Sequence, residues 1–192
     1  MKTLLITGFE PFGGQTVNPS WEAVAQLPDT IGEWMLHKMR IPVEYETAPR
    51  LVLEKAREIG AEAVISVGQA GGRNAVTPEV IGISLREAAS ADNAGRLCKG
   101  EPIDPEGPDG IFSTLPVRAM VAAIAAKDIP AKLSYSAGAY VCNDVLYTLL
   151  RQFEGTSVRA GFIHVPFIPG QGEPNMALPD IVTALTAAVG AL

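Results

Sequence analysis

The chain of 192 residues, 47% hydrophobic and 19% charged, is the size of one domain, so residues 1–192 are expected to fold around a single core. A formal net charge of −6 without any run of Lys or Arg excludes the electrostatic footprint of a nucleic-acid or anionic-membrane binder. The charged fraction lies below the roughly 25% of ordinary soluble domains, which leaves surface for self-association, so a homo-oligomer is expected.

In chain order, Lys2 and the short run Leu4, Leu5, Ile6 lead into Gly8. That is a buried strand, since an export signal needs about 7 to 15 apolar residues. Further strands are predicted at Met39–Tyr45, Ala63–Val67, Val80–Leu85, Lys132–Tyr135 and Gly161–Val165, the first covering Thr3–Thr7. Helical periodicity marks Ser20–Leu27, Arg50–Ile59, Pro116–Ala126, Asn143–Phe153 and Met176–Val189. Strands alternating with helices imply an α/β class in three layers, with a mostly parallel sheet covered on both faces. The stretches 88–114 and 166–174, rich in Gly and Pro, are predicted as long loops and as candidate lids or contacts. The longest apolar stretch, Ala119–Ala126, falls short of the roughly 18 residues of a membrane span. A cytoplasmic protein is expected.

Two Gly-rich turns follow predicted strands, GFEPFGG at 8–14 and GQAGGR at 68–73, and neither has the spacing of a phosphate loop. Phe9 and Phe12 in the first turn either grip a flat ring or pack in the core. Glu79 opens a segment that otherwise wants burial; it is a surface acid or the partner of an imidazole. Cys142 precedes an amphipathic helix, whose dipole and free N–H groups favour a thiolate and offer an oxyanion site; its other reading is a small buried hydrophobe. His164 lies near the end of the strand GFIHVPF, on one face with Phe162, either as a satisfied core His or as a base beyond the carboxyl end of a sheet. Cys98 sits in a polar RLCKG segment without a helix start, and His37 is placed in a loop entering a strand. Two cysteines and two histidines give neither a disulfide framework nor zinc-site spacing, so no metal is expected.

Taken in order, GFEPFGG, GQAGGR with TPE, GPDGIFSTLP, SAGAYVCN and GFIHVPFIP resemble the pyroglutamyl peptidase family over nearly the whole chain. The resemblance implies a Cys–His–Glu triad on Cys142, His164 and Glu79, an α/β/α sandwich, a dimeric or tetrameric assembly and no cofactor. Its implied substrates are N-terminally pyroglutamylated peptides, with the lactam ring held by Phe9, Phe12, Gln69, Tyr140 and Val141. The chain departs from the family where Ser84 stands for an Asn, where Ala89, Ser90 and Ala91 replace an Arg-Ile-Pro triplet, and where Tyr140 replaces a common Phe. With no Arg at position 89, a slow enzyme with a mobile loop over 88–110 is expected, and Arg86 is expected to be dispensable. Two other readings stay open on the residues alone: a nucleoside phosphorylase-like transferase, and a binding relative that has lost activity.

Overall fold

Leu4, Leu5 and Ile6 have no exposed surface on either face of strand β1 (Lys2–Phe9), the mark of a strand covered on both sides. In the computed structural model, which describes residues 1–192, β1 lies inside a six-stranded sheet with β3 (Trp34–Ile41) on one flank and β4 (Ala63–Gln69) on the other. Beyond β4 lies β10 (Arg159–Val165); these four strands run parallel, and β2 (Thr30–Ile31) and β5 (Thr77–Pro78) close the two edges antiparallel. Helices α1 (Pro19–Gln26), α3 (Val117–Ala125) and α5 (Leu178–Gly190) cover one face, and α2 (Thr47–Glu58) and α4 (Val141–Gln152) the other. The three-layer α/β sandwich expected from the alternation is the observed fold. The chain leaves β1 towards β3 and returns past it to β4, so the order reverses between the carboxyl ends of β1 and β4, where open α/β sheets place their sites.

Helix starts follow local chemistry. Asn18 caps α1, its Oδ1 accepting the Ser20 N–H at 3.1 Å, and Pro19 takes the first helical position, where no N–H is needed. In α4, Val141, Val145, Leu146, Leu149 and Leu150 form one buried stripe against the sheet. Each such side chain contributes about 1.5–3 kcal/mol by leaving water.

Several predicted elements move. The strand expected at 39–45 spans Trp34–Ile41, because Trp34 and Leu36 alternate inward and Pro42 has no N–H with which to continue the ladder. His37 therefore lies in mid-strand opposite Leu5, not in a loop. The strand expected at 80–85 shortens, and a separate strand that was not expected precedes it. Thr77–Pro78 joins the main sheet, while β6 (Ile81–Ile83) leaves it to pair with β9 (Gly110–Phe112). The segment 132–135 is extended but makes only isolated bridges beside 76–80. The Val76 N–H donates to Pro130 O and the Val80 N–H to Ser134 O, and between them Pro78 lacks the N–H that a continuous ladder requires. The stretch expected as a mobile loop holds β8 (Lys99–Glu101), paired with β7 (Arg86–Glu87), and β9. Asp92 ties it down by accepting the N–H groups of Tyr45, Ala94 and Arg96, and the Asn93 amide donates to Glu10 and Pro11.

The structure also corrects the expectation for Arg86. A bulge falls between Arg86 and Glu87, yet the side chain does not turn to the carboxyl ends of the strands. It is buried against Asp144 in the first turn of α4, with Nε 2.9 Å from Oδ1, and reaches Glu46 at 3.3 Å. Burial pushes the Asp144 carboxyl up, and the Arg86 charge opposes that. Removing Arg86 strands a buried carboxylate, so Arg86→Ala is expected to cost about 3 kcal/mol rather than to be neutral. Urea unfolding measures it; a midpoint equal to that of the wild type would show the pair to be unimportant for stability.

Candidate active site

Alternation along β10 sends Ile163 and Val165 to the α1/α3/α5 face and Phe162 and His164 to the other. The register sets His164 between Gly68 on β4 and Thr77 on β5. Glu79 follows β5 at once, and its N–H donates to Phe162 O at 2.9 Å, which brings its side chain level with the imidazole. His164 Nδ1 lies 2.7 Å from Glu79 Oε1, and both residues are buried. Burial alone raises the Glu79 carboxyl, but the hydrogen bond and charge of His164, with Ser134 and Arg73, outweigh it and hold the group below the usual carboxylate range. Burial pushes His164 down against the opposing pull of Glu79. The result is a neutral imidazole that donates from Nδ1 to a carboxylate and keeps Nε2 as a lone-pair base.

Cys142 is the second residue of α4, whose N-cap Tyr140 provides no side-chain cap; the Asp144 N–H donates to Tyr140 O, while the amides of Val141, Cys142 and Asn143 before it have no intrahelical acceptor. A Cβ placed on Gly68 would come within 2.9 Å of Cys142 Sγ and 2.7 Å of Phe162 Cζ. Glycine at 68 therefore lets the sulfur rest over β4, beside the strand that bears His164. The helix N-terminus is where the sequence puts it, but it does not make a resting thiolate. Burial pushes the Cys142 thiol up to about 12, the Glu79 charge adds to that, and Arg73 opposes it. A helix dipole contributes about 0.3–1 kcal/mol, less than one pKa unit, so desolvation wins.

The other predicted contacts divide. Phe12 and Tyr140 are half-buried with ring centroids 6.3 Å apart, and the Tyr140 hydroxyl donates to Ala91 O at 3.0 Å, so the two form an aromatic wall near the helix start. Gln69 ends β4, half-buried, and its Oε1 accepts from the Gln171 amide at 3.3 Å. Phe9 is 2% exposed and packs in the core, 6.2 Å from the Phe162 ring that in turn lies 4.8 Å from His164. The Val141 side chain is likewise wholly buried, which leaves only its backbone to face a ligand. Cys98, expected in a polar loop, is fully buried in the apolar cluster, and burial raises its thiol.

Sequence reasoning missed three residues here. Asn143 clamps the segment before β7 by accepting the Ile83 N–H and donating to Ile83 O and Leu85 O. Gln171, from the loop after β10, reaches Gln69 and Val17 O. Arg73, inside the quoted GQAGGR turn, touches Glu79; a cation six residues before the acid was the available signal. The 166–174 loop closes beside that turn, and Gly71 has no side chain because the Phe167 ring occupies its place, 2.2 Å from a built Cβ. No three His, Cys, Asp or Glu side chains gather into a metal-binding group, and no helix is long and apolar enough to cross a membrane. The largest cavity, about 510 Å³, lies apart from His164 and Cys142, between α2 and α4 and against Arg86.

A thiol at a helix start, on the same side of the sheet as an imidazole oriented by a carboxylate, is the set of groups that thiol hydrolases use. The comparison with known proteins sharpens that class. The pyroglutamyl peptidase family matches residues 1–192, and the chain belongs to that family. The pyrrolidone-carboxylate peptidase of Lactobacillus helveticus is 42% identical over 192 residues, covering 97% of this chain and 96% of its own. That of Thermococcus onnurineus is 45% identical over 191 residues, covering 94% of each. The crystal structure of pyroglutamyl peptidase I from Bacillus amyloliquefaciens superposes with a TM-score of 0.96 at 38% identity, covering 100% of this chain and 96% of that one. Membership of a cysteine-type peptidase family stands against the phosphorylase-like reading.

Proposed function

We propose that the chain hydrolyses the amide bond after an N-terminal pyroglutamyl residue of peptides through an acyl-enzyme on Cys142, as a homo-oligomer in the cytoplasm. The 2.7 Å bond between His164 Nδ1 and the buried Glu79 carboxylate carries this reading, because it fixes the tautomer that leaves Nε2 to serve a nucleophile. Nε2 takes the Cys142 proton as Sγ attacks the carbonyl that follows the lactam ring. The oxyanion is received by the unsatisfied amides at the start of α4. The imidazolium then protonates the leaving amine as the C–N bond breaks. Water attacks the thioester and gives a proton to His164, which returns it to the departing sulfur as the C–S bond breaks, releasing pyroglutamate and restoring the thiol. Both cysteines are free, as a reducing compartment keeps them, and the low charged fraction supports self-association.

Pyroglutamate carries no ammonium, and the half-buried Phe12, Tyr140 and Gln69 offer a ring-sized aromatic wall and an amide for its lactam. A site that hydrogen-bonds a particular N–H or C=O discriminates about 10⁴-fold against analogues that lack it. A pyroglutamyl amide chromogen is therefore expected to be cleaved and the matching glutaminyl amide to be left intact, with turnover blocked by iodoacetamide. Comparable kcat/KM for the two amides would overturn the substrate assignment, and a chain inert to both would be a binding relative.

A further inference from the structure

Arg73 stands at the centre of a contact set that the triad does not explain. Its Nη1 donates to Thr77 Oγ1 at 2.6 Å and to Glu79 Oε1 at 2.7 Å, and its Nη2 donates to Ser136 O at 2.9 Å. Glu79 Oε1 thus receives two donors, the guanidinium and His164 Nδ1, while the buried Oε2 has no hydrogen-bond partner. The three acceptors of Arg73 belong to different parts of the site: Thr77 pairs with His164 across β5 and β10, Glu79 orients the imidazole, and Ser136 lies four residues before the N-cap of α4. The side chain is 25% exposed, so its charge is incompletely screened. Neither alternative cation is in place, since position 89 is an exposed alanine and Arg86 is engaged by Asp144 and Glu46.

We propose that Arg73 is a positioning residue of the reaction: it holds the Glu79 carboxylate against His164, ties the turn after β4 to the segment that enters α4, and supplies the fixed positive charge of the site. This rests on the reading of Cys142, His164 and Glu79 as a triad. Lysine in its place keeps the charge but cannot hold three acceptors in one planar fork. The ionisable groups around the Cys142–His164 pair are Glu79 after β5, Arg73 from the β4 turn and Tyr140 before α4; Asp144 is turned away to Arg86. A cation disfavours the imidazolium and favours the thiolate, so Arg73 lowers both Cys142 and His164. Its removal moves the deprotonation of each group to higher pH.

The test is the pH dependence of kcat/KM, and of inactivation by iodoacetamide without substrate, for the wild type, Arg73→Met and Arg73→Lys. Arg73→Met is expected to lower kcat/KM at neutral pH about tenfold or more, the effect of losing a charge-assisted hydrogen bond, and to shift both limbs of the bell and the alkylation profile to higher pH. Arg73→Lys is expected to restore the limb positions with part of the amplitude. A merely structural role lowers amplitude and moves no limb, so an Arg73→Met bell superimposable on the wild type in position overturns the proposal. Should Arg73→Met fail to fold by circular dichroism, Arg73→Gln, which keeps donors without charge, takes its place with the same expected shift. Wild-type turnover that survives Cys142→Ser removes the triad reading itself. Turnover that depends on Cys142 beside an unshifted Arg73→Met bell removes this inference alone.

Discussion

Cys142→Ser is expected to reduce hydrolysis of a pyroglutamyl amide by about a thousandfold or more, whereas Cys98→Ser keeps its kcat/KM. The serine hydroxyl ionises far less readily than a thiol, and burial that pushes the Cys142 thiol up to about 12 penalises an alkoxide more. His164, itself held neutral by burial, would have to take a proton that an alcohol gives up less readily than a thiol, in a site shaped around the larger sulfur. Cys98 lies in the apolar cluster on the α2/α4 face, where a hydroxyl without a partner costs about 1–3 kcal/mol of stability but touches no reacting atom. Activity is therefore to be measured per folded molecule, with unfolding followed in parallel. Near-wild-type turnover of Cys142→Ser would remove Cys142 from the chemistry, and a selective loss in Cys98→Ser would transfer the role.

How far the sequence reveals this site differs from residue to residue. The face of β10 that carries His164 follows from strand alternation in GFIHVPF, and the helix start at Cys142 follows from the apolar stripe behind it. The meeting of Glu79 with His164 is not local information. It depends on a two-residue antiparallel edge strand pairing with β10, and on Pro78 breaking the neighbouring ladder, so hydropathy alone gives a strand at 80–85 and misses the one at 77–78. The protonation of Cys142 is not local information either, because two opposing effects act on it and desolvation depends on packing from distant segments. Phe9 reads as a loop aromatic but ends β1, whose register with β3 holds it over the core. Arg86 and Arg73 show the same limit, since each finds its acid through the fold: Asp144 lies 58 residues away, and Arg73 also needs the carbonyl of Ser136, 63 residues away.

Glu79→Gln is expected to lower kcat by about a thousandfold while leaving the fold intact. The amide keeps the volume of the carboxyl but removes the charge that stabilises the imidazolium in each proton transfer. It can also turn its NH₂ towards Nδ1; the imidazole would then accept there and carry its proton on Nε2, the nitrogen that must receive the Cys142 proton. Arg73 at the same time loses its ion-pair partner, which adds to the cost. The stability profile provides an independent check. Because the folded-state Glu79 carboxyl lies below its ordinary value, its contribution is complete above the unfolded glutamate pKa and is lost as pH falls through the folded one. The variant therefore starts less stable at neutral pH and loses less on acidification than the wild type. A Glu79→Gln enzyme that keeps full kcat, with an acid-stability curve parallel to that of the wild type, would show that the carboxylate is neither charged in the resting site nor needed to orient His164.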